Sequence, residues 1–341
     1  MTTPIGDDVE EMNTGEGVVK NSKNSIPTLP SKSIEAIAGL SAGFLTTLLA
    51  HPLDFLKLRL QLDTTSSSQL QSVKNVYNDV IKLSIISNNN NNNTQIISPI
   101  KFIKNIYRGI SPNLIGSTSA WAFYFYFYRQ YKNIILNTSI SGNYYDDKSL
   151  KSYHYLLSAF AAGWTTSILT NPIWVIKTRM ISTNKSSNDP NAYKSFIHGI
   201  KQIYKDEGFK GYYRGLIPSL FNVAQGAVQL TLYDIIKRYL TIPNTTKKNN
   251  EHLSTLQYFY ASSVSKMIST GIFYPLQVIR SRLQIINDSN KLQSISNVVI
   301  NIYKREGVRA FYKGLMTNLL RVVPATCTTF IIYEKVKQYL E

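Results

Sequence analysis

Six stretches of this chain, at 34–60, 114–136, 156–180, 216–240, 256–283 and 315–340, are long enough to cross about 30 Å of hydrocarbon as helices. None is uniformly apolar, and the mean hydropathy of the chain is only −0.13. The polar residues inside these stretches recur at helical spacing. Asn113, Ser117, Trp121, Tyr124 and Tyr128 fall on one stripe, and Asn222, Gln225 and Gln229 on another. A polar stripe on an otherwise apolar helix belongs to a bundle around water, because polar groups facing lipid would be left unpaired. Small residues four apart, Gly39/Gly43 and Ala159/Gly163, permit close helix packing in lipid. The pattern predicts an all-α membrane protein of six transmembrane helices around a central cavity.

Alternate stretches share a motif. Pro52-Leu53-Asp54-Phe55-Leu56-Lys57-Leu58-Arg59 recurs as Pro172-Ile173-Trp174-Val175-Ile176-Lys177-Thr178-Arg179 and as Pro275-Leu276-Gln277-Val278-Ile279-Arg280-Ser281-Arg282. With 37 Lys and Arg in 341 residues, two specified bases follow a given Pro by chance about 1% of the time. Three occurrences therefore mark an internal repeat. Each motif is followed by an aromatic-base-Gly triplet: Tyr107-Arg108-Gly109, Tyr213-Arg214-Gly215 and Tyr312-Lys313-Gly314. Glu207-Gly208 and Glu306-Gly307 precede the last two triplets at matching distance, whereas the first copy has Lys101-Phe102. The repeats span 31–140, 150–243 and 252–341, after a flexible acidic tail at 1–30. The first is longest because it holds an Asn-rich loop near 87–95, a compositional insert. The Pro of each motif lacks an N–H and is expected to kink its helix.

The net charge of +17 invites a nucleic-acid reading. The bases are dispersed among the repeats and no nucleic-acid motif is present, so anionic lipid headgroups suit them better. The single Cys327 rules out an intrachain disulfide framework and reads as a small packing residue. Four scattered His lack metal spacing, and no nucleophile–base pair, Walker loop or dinucleotide fingerprint is present. His51 reads as packing at the kink. Asp7, Asp8, Glu10, Glu11 and Glu16 do not suit a cleavable transit peptide. The chain does not read as an enzyme.

Three repeats of about 100 residues, each with a Pro-x-[acid]-x-x-[base] motif and an aromatic-base-Gly triplet, resemble the mitochondrial carrier family over nearly the whole chain. The resemblance implies six tilted helices in three pseudo-threefold repeats, with short matrix helices expected at 70–84, 193–206 and 292–304. It also implies a monomer in the mitochondrial inner membrane that moves small anions by alternating access. In the family, the motif acid of one repeat pairs with the base of the next. Carried over, a matrix gate joins Asp54 to Lys177, faces Trp174 to Arg280 and faces Gln277 to Lys57, with Gln61 and Gln284 as braces where the second copy has Ile181. Only Asp54–Lys177 is an ion pair there. Arg280 on Trp174 is a cation–π contact, and plain packing of Trp174 is the other reading. A cytoplasmic gate is implied by Tyr233-Asp234-x-x-Lys237 and Tyr333-Glu334-x-x-Lys337, pairing Asp234 with Lys337 and Glu334 with Lys132; Arg129 stands where the first copy needs an acid. The triplets imply cardiolipin bound at Arg108, Gly109, Arg214, Gly215, Lys313 and Gly314, where helix starts favour phosphate.

Trp174 in an acid slot and Gln277 in another resemble the branch of the family that carries FAD or folate, and also NAD or pyrimidine nucleotides. The residues point to a large anion with a planar ring. Lys266 lies three turns before Gln277 on the same helix face, and a mid-membrane Lys is by default functional. Arg321 stands where the family places a substrate-contacting base; a structural ion pair is the alternative for both. Trp121 and Tyr124 suit stacking on a flavin or pterin, or a helix contact, with Asn222, Gln225 and Gln229 as hydrogen-bonding partners. FAD, folate and NAD stay open, as does a scaffold or proton leak on the same fold.

Overall fold

A computed structural model of the protein describes residues 31–65, 69–87, 95–139, 152–183, 193–241, 255–285 and 294–340. The acidic tail, the Asn tract at 88–93 and the side chains of Cys327, Glu334 and Lys337 lie outside the described residues. The first repeat runs through α1 (Ser31–Leu62), α2 (Gln69–Ser84), α3 (Pro99–Ile106) and α4 (Ile110–Ser139). The second comprises α5 (Ser152–Ser182), α6 (Phe196–Glu207), α7 (Phe209–Tyr212), α8 (Leu216–Asn222) and α9 (Ala224–Thr241). The third has α10 (Thr255–Gln284), α11 (Ile295–Glu306), a 3-10 turn (Val308–Tyr312) and α12 (Leu315–Leu340).

Two features depart from the sequence pattern. The Asn tract is flanked by a two-stranded antiparallel ribbon, β1 (Ile85–Ser87) and β2 (Gln95–Ile97), with Ile85 opposite Ile97. β-Branched Ile on both arms suits a pleated pair and clamps the insertion at its base. The fourth apolar stretch is two helices, because the chain tightens at Val223. There Val223 N–H reaches Leu220 O and Gly226 N–H reaches Val223 O, both at 3.2 Å. Such a mid-helix tightening to i→i+3 bonds often marks a hinge.

Helices α1, α4, α5, α10 and α12 are 26–32 residues long, or roughly 40–50 Å. α1, α5 and α10 continue through Pro52, Pro172 and Pro275. The widest helix contacts are α1 on α12, α4 on α5 and α9 on α10, each joining one repeat to the next. Helices α1, α5 and α10 also touch one another. No described helix is long and apolar enough to cross a membrane by itself. Each of them turns polar residues toward its neighbours, which lowers its mean hydropathy, while Leu40, Phe44, Ile115, Trp164, Ile272 and Met316 stand exposed.

The buried cores sit where the short amphipathic helices cover the motif ends of α1, α5 and α10. Val175, Ile176 and Met180 pack with Tyr193, Ile203 and Tyr212; Ile279 and Leu283 pack with Val298, Ile302 and Ala310. In the first repeat Phe55 and Val80 are joined by Ile181 of the second. Ile181 thus replaces the brace expected at its slot with an apolar contact across the repeat boundary.

Candidate functional site

The motif faces of α1, α5 and α10 meet around a cavity of about 260 Å³, lined among others by Asp54, Lys57, Trp174, Lys177, Gln277 and Arg280. Residues three apart on a helix share a face, so motif acid slot and motif base arrive together on each wall. Lys57 Nζ donates to Gln277 Oε1 at 3.0 Å. Arg280 lies over the Trp174 ring at 5.9 Å, and Lys177 lies over the same ring at 5.2 Å.

The expected ion pair is different. Asp54 Oδ1 accepts from Arg321 Nη1 at 2.5 Å, while Lys177 Nζ donates to Asn113 Oδ1 at 2.7 Å. Among the described residues, Asp54 is the one carboxylate lining this cavity. The planar guanidinium of Arg321, reaching in from α12, takes its oxygen, and Lys177 is left a neutral amide. Arg321 is therefore engaged by the gate acid instead of projecting free into the cavity. Gln284 Oε1 accepts from Thr178 Oγ1 at 2.7 Å, which braces α10 to α5. Gln61 is buried against the cavity, and its carbonyl accepts from Arg282 Nε at 3.0 Å.

A second cavity, of about 520 Å³, lies between α4, α5 and α9. Trp121, Tyr124, Phe160, Thr166 and Gln229 are among its walls. Val223 lines it and the adjacent Asn222 lines the axial cavity, so the α8–α9 turn separates the two. Trp121 stacks on Phe125 with ring centroids 5.6 Å apart, and Tyr124 stacks on Tyr128 at 6.1 Å. Lys266 Nζ donates to Gln229 Oε1 at 3.0 Å, and Gln277 Nε2 donates to Gln225 Oε1 at 3.2 Å. The stripe of Asn222, Gln225 and Gln229 thus reaches the axial cavity, the gate and Lys266 in turn.

The other expected ring is only partly described. Asp234 is exposed, Lys132 is half-buried, and Lys237 lies over the Tyr258 ring at 5.6 Å. The side chains of Glu334 and Lys337, its other members, are outside the described residues.

The triplets do something the sequence did not suggest. Gly109, Gly215 and Gly314 have φ of +82°, +71° and +81°, in the left-handed region that favours glycine. Each also lies against the next repeat. A Cβ on Gly314 would sit 3.0 Å from the Lys57 carbonyl, one on Gly215 3.0 Å from that of Arg280, and one on Gly109 2.8 Å from Ile181. The triplet bases cross the same boundaries. Arg108 donates to Thr183 Oγ1 and the Tyr193 carbonyl, Arg214 to the Ile285 carbonyl, and Lys313 to the Asp63 carbonyl. Arg214 also meets Glu207 at 2.6 Å and Lys313 meets Glu306 at 2.7 Å, carboxylates they share with Arg179 and Arg282. The bases expected to grip cardiolipin are therefore turned inward and hold repeats together.

The residue before each motif Pro completes the joint. His51 Nε2 bonds the Arg108 carbonyl at 3.1 Å, Asn171 Nδ2 donates to the Arg214 carbonyl at 3.3 Å, and Tyr274 Oη donates to the Lys313 carbonyl at 2.9 Å. Sequence reasoning read His51 as packing at the kink and passed over Asn171 and Tyr274, because the three types differ. Their common signal is position, since each of the three slots holds a side chain able to donate a hydrogen bond.

Long helices that run through their motif prolines, a polar axial cavity and glycine-tight joints between repeats define a carrier. The family model described as "mitochondrial carrier protein" matches residues 31–139, 148–244 and 251–341, and the chain belongs to that family, whose members are transporters and not enzymes. It is 37% identical over 314 residues to the mitochondrial FAD carrier protein FLX1 of Saccharomyces cerevisiae, covering 90% of this chain and 96% of that one. It is also 32% identical to folate transporter 1, chloroplastic, of Arabidopsis thaliana, over 90% of this chain and 95% of that protein. To nicotinamide adenine dinucleotide transporter 2, mitochondrial, of the same plant it is 31% identical, over 94% and 83%.

Proposed function

We propose that this protein spans the mitochondrial inner membrane with six helices and carries FAD across it by alternating access, closing at the motif ends of α1, α5 and α10 in the form described. The observation that carries this reading is the pair of adjoining cavities. One is axial and rich in bases, and the other is aromatic-walled and bounded by the Gln229–Lys266 contact. A phosphate-bearing flavin has the two halves that such a pair accommodates: arginine and lysine for the anion, Trp121 and Tyr124 for the ring. The similarity to the yeast FAD carrier supports it. Exposed apolar side chains on the outside of long helices support the membrane placement. With the triplet bases occupied, a bound cardiolipin phosphate would meet the helix dipoles at the starts of α4, α8 and α12.

NAD is the second reading, because it has the same diphosphate and a relative that carries it is 31% identical. The test is uptake by liposomes containing the purified protein and preloaded with unlabelled substrate. Labelled FAD should accumulate faster than NAD or folate. Uptake of NAD or folate without FAD would overturn the assignment, and Lys266→Ala should depress FAD uptake at least tenfold.

A further inference from the structure

The axial cavity is a gate with too few acids. Lys57 and Lys177 face each other, Arg280 and Arg321 there, and among the described residues Asp54 is the one carboxylate with them. Arg321 holds that carboxylate. Lys57 and Lys177 are met by the neutral amides of Gln277 and Asn113. Arg280 meets no carboxylate among the described residues and has the face of Trp174 at 5.9 Å. An indole face attracts a cation by about 0.5–2 kcal/mol but neutralises nothing. Like charges gathered in a partly buried space repel unless an anion joins them. The cavity has the volume for one: its 260 Å³ is the space of several waters.

We propose that this cavity is itself an anion site for a diphosphate, and that the cargo supplies the counter-charge that Trp174 and Gln277 leave out of the gate. The inference rests on the carrier reading above and narrows its cargo to molecules with adjacent phosphates. Arg280 on α10 and Lys57 on α1 hold the two phosphates, Lys177 on α5 adds a third point charge, and Gln225 behind Gln277 fixes the amide that would otherwise swing into the anion. A seated diphosphate removes the repulsion among these bases.

Inorganic pyrophosphate is the probe, with thermal unfolding of the purified full-length protein in detergent at low salt as the readout. Pyrophosphate should raise the midpoint of the wild type by several degrees in a saturable way, and riboflavin, which has no phosphate, should not. Gln277→Glu keeps the contact to Lys57 and restores a carboxylate, so it should raise the midpoint without ligand and weaken pyrophosphate at least tenfold. Arg280→Gln should weaken it as much. Lys201→Gln, which removes an exposed base on α6, should leave the pyrophosphate shift unchanged. Equal shifts in all three variants, or none in the wild type while FAD uptake is intact, would overturn the site and leave the FAD reading standing. A shift that follows the variants while liposomes take up NAD and not FAD would do the reverse.

Discussion

Two rings of contacts surround the axis of this protein, and they treat symmetry differently. In the gate ring, equivalent slots hold Asp54, Trp174 and Gln277, and the substitutions change what the ring does, because a carboxylate, an indole and an amide answer a cation with different strength. In the joint ring, equivalent slots hold His51, Asn171 and Tyr274, and all three bond the carbonyl of a triplet base. A carbonyl needs only a donor, and many side chains supply one. A charge needs a counter-charge. Drift is therefore nearly silent in the joint and changes function in the gate.

The joint should be the stronger ring, and its carboxylates are where it breaks. Arg179 is 1% exposed and shares Glu207 with Arg214. Glu207→Gln leaves two guanidiniums without their carboxylate, and removing one partner of a buried pair costs about 3–5 kcal/mol. The unfolding midpoint in detergent should fall by more than for any single gate substitution. A smaller loss than that of Asp54→Asn would reverse the ranking of the rings.

Acid should do to the third repeat what Glu207→Gln does to the second. Burial works against the ionised form of Glu306, but hydrogen bonds from Arg282 and Lys313 outweigh it and hold its carboxyl below the usual carboxylate range. Its stabilisation is fully present above the unfolded value of about 4.3 and is lost as the pH falls through the lower folded value. The wild type should loosen over that acid window, and Glu306→Gln should be less stable at neutral pH with a flatter acid limb. An acid limb of unchanged steepness in the variant would assign the transition to other groups.

Glycine separates close approach from backbone conformation. Gly307 and Gly314 have φ of +79° and +81°, yet a Cβ on Gly307 meets open space and one on Gly314 meets Tyr274 Oη at 2.9 Å and the Lys57 carbonyl at 3.0 Å. Gly307, with ψ of 178°, lies in a region essentially reserved for glycine, so Gly307→Ala should cost about 1–3 kcal/mol. Gly314→Ala should cost more and reduce transport, since the shift it forces lands on a gate base. Equal losses in the two would mean that the joint yields freely.

Much of this arrangement is legible in the sequence, for a definite reason. A threefold repeat turns weak patterns into strong ones, so the long helices and the cavity-facing stripe of Asn222, Gln225 and Gln229 follow from periodicity, while the short amphipathic helices follow from the family resemblance. What escapes is competition. Lys57, Lys177 and Arg321 all act on Asp54, and which base wins depends on where α12 places Arg321, a matter of three dimensions. The triplet bases misled in the same way. At a helix start they resemble lipid ligands, and only the fold brings Glu207 and Glu306 to them. The two Glu-Gly pairs at matching distance were the available clue.

The smallest expected effect is also the sharpest question about the joint ring, whether its three seams act separately or as one. Tyr274 is fully buried and its hydroxyl donates to the Lys313 carbonyl at 2.9 Å, so Tyr274→Phe should cost about 1 kcal/mol, the usual net worth of one hydrogen bond. Asn171→Ala, at a different seam, loses bonds to the Tyr212 and Arg214 carbonyls and should cost somewhat more. Substitutions at distant, independent sites add to within about 0.5 kcal/mol. If the seams are separate hinges, the double variant should lose the sum of the two and keep the FAD KM of the wild type. A larger coupling would mean that the seams move together, since the carbonyls they hold neighbour the Gly-tight contacts with the gate bases.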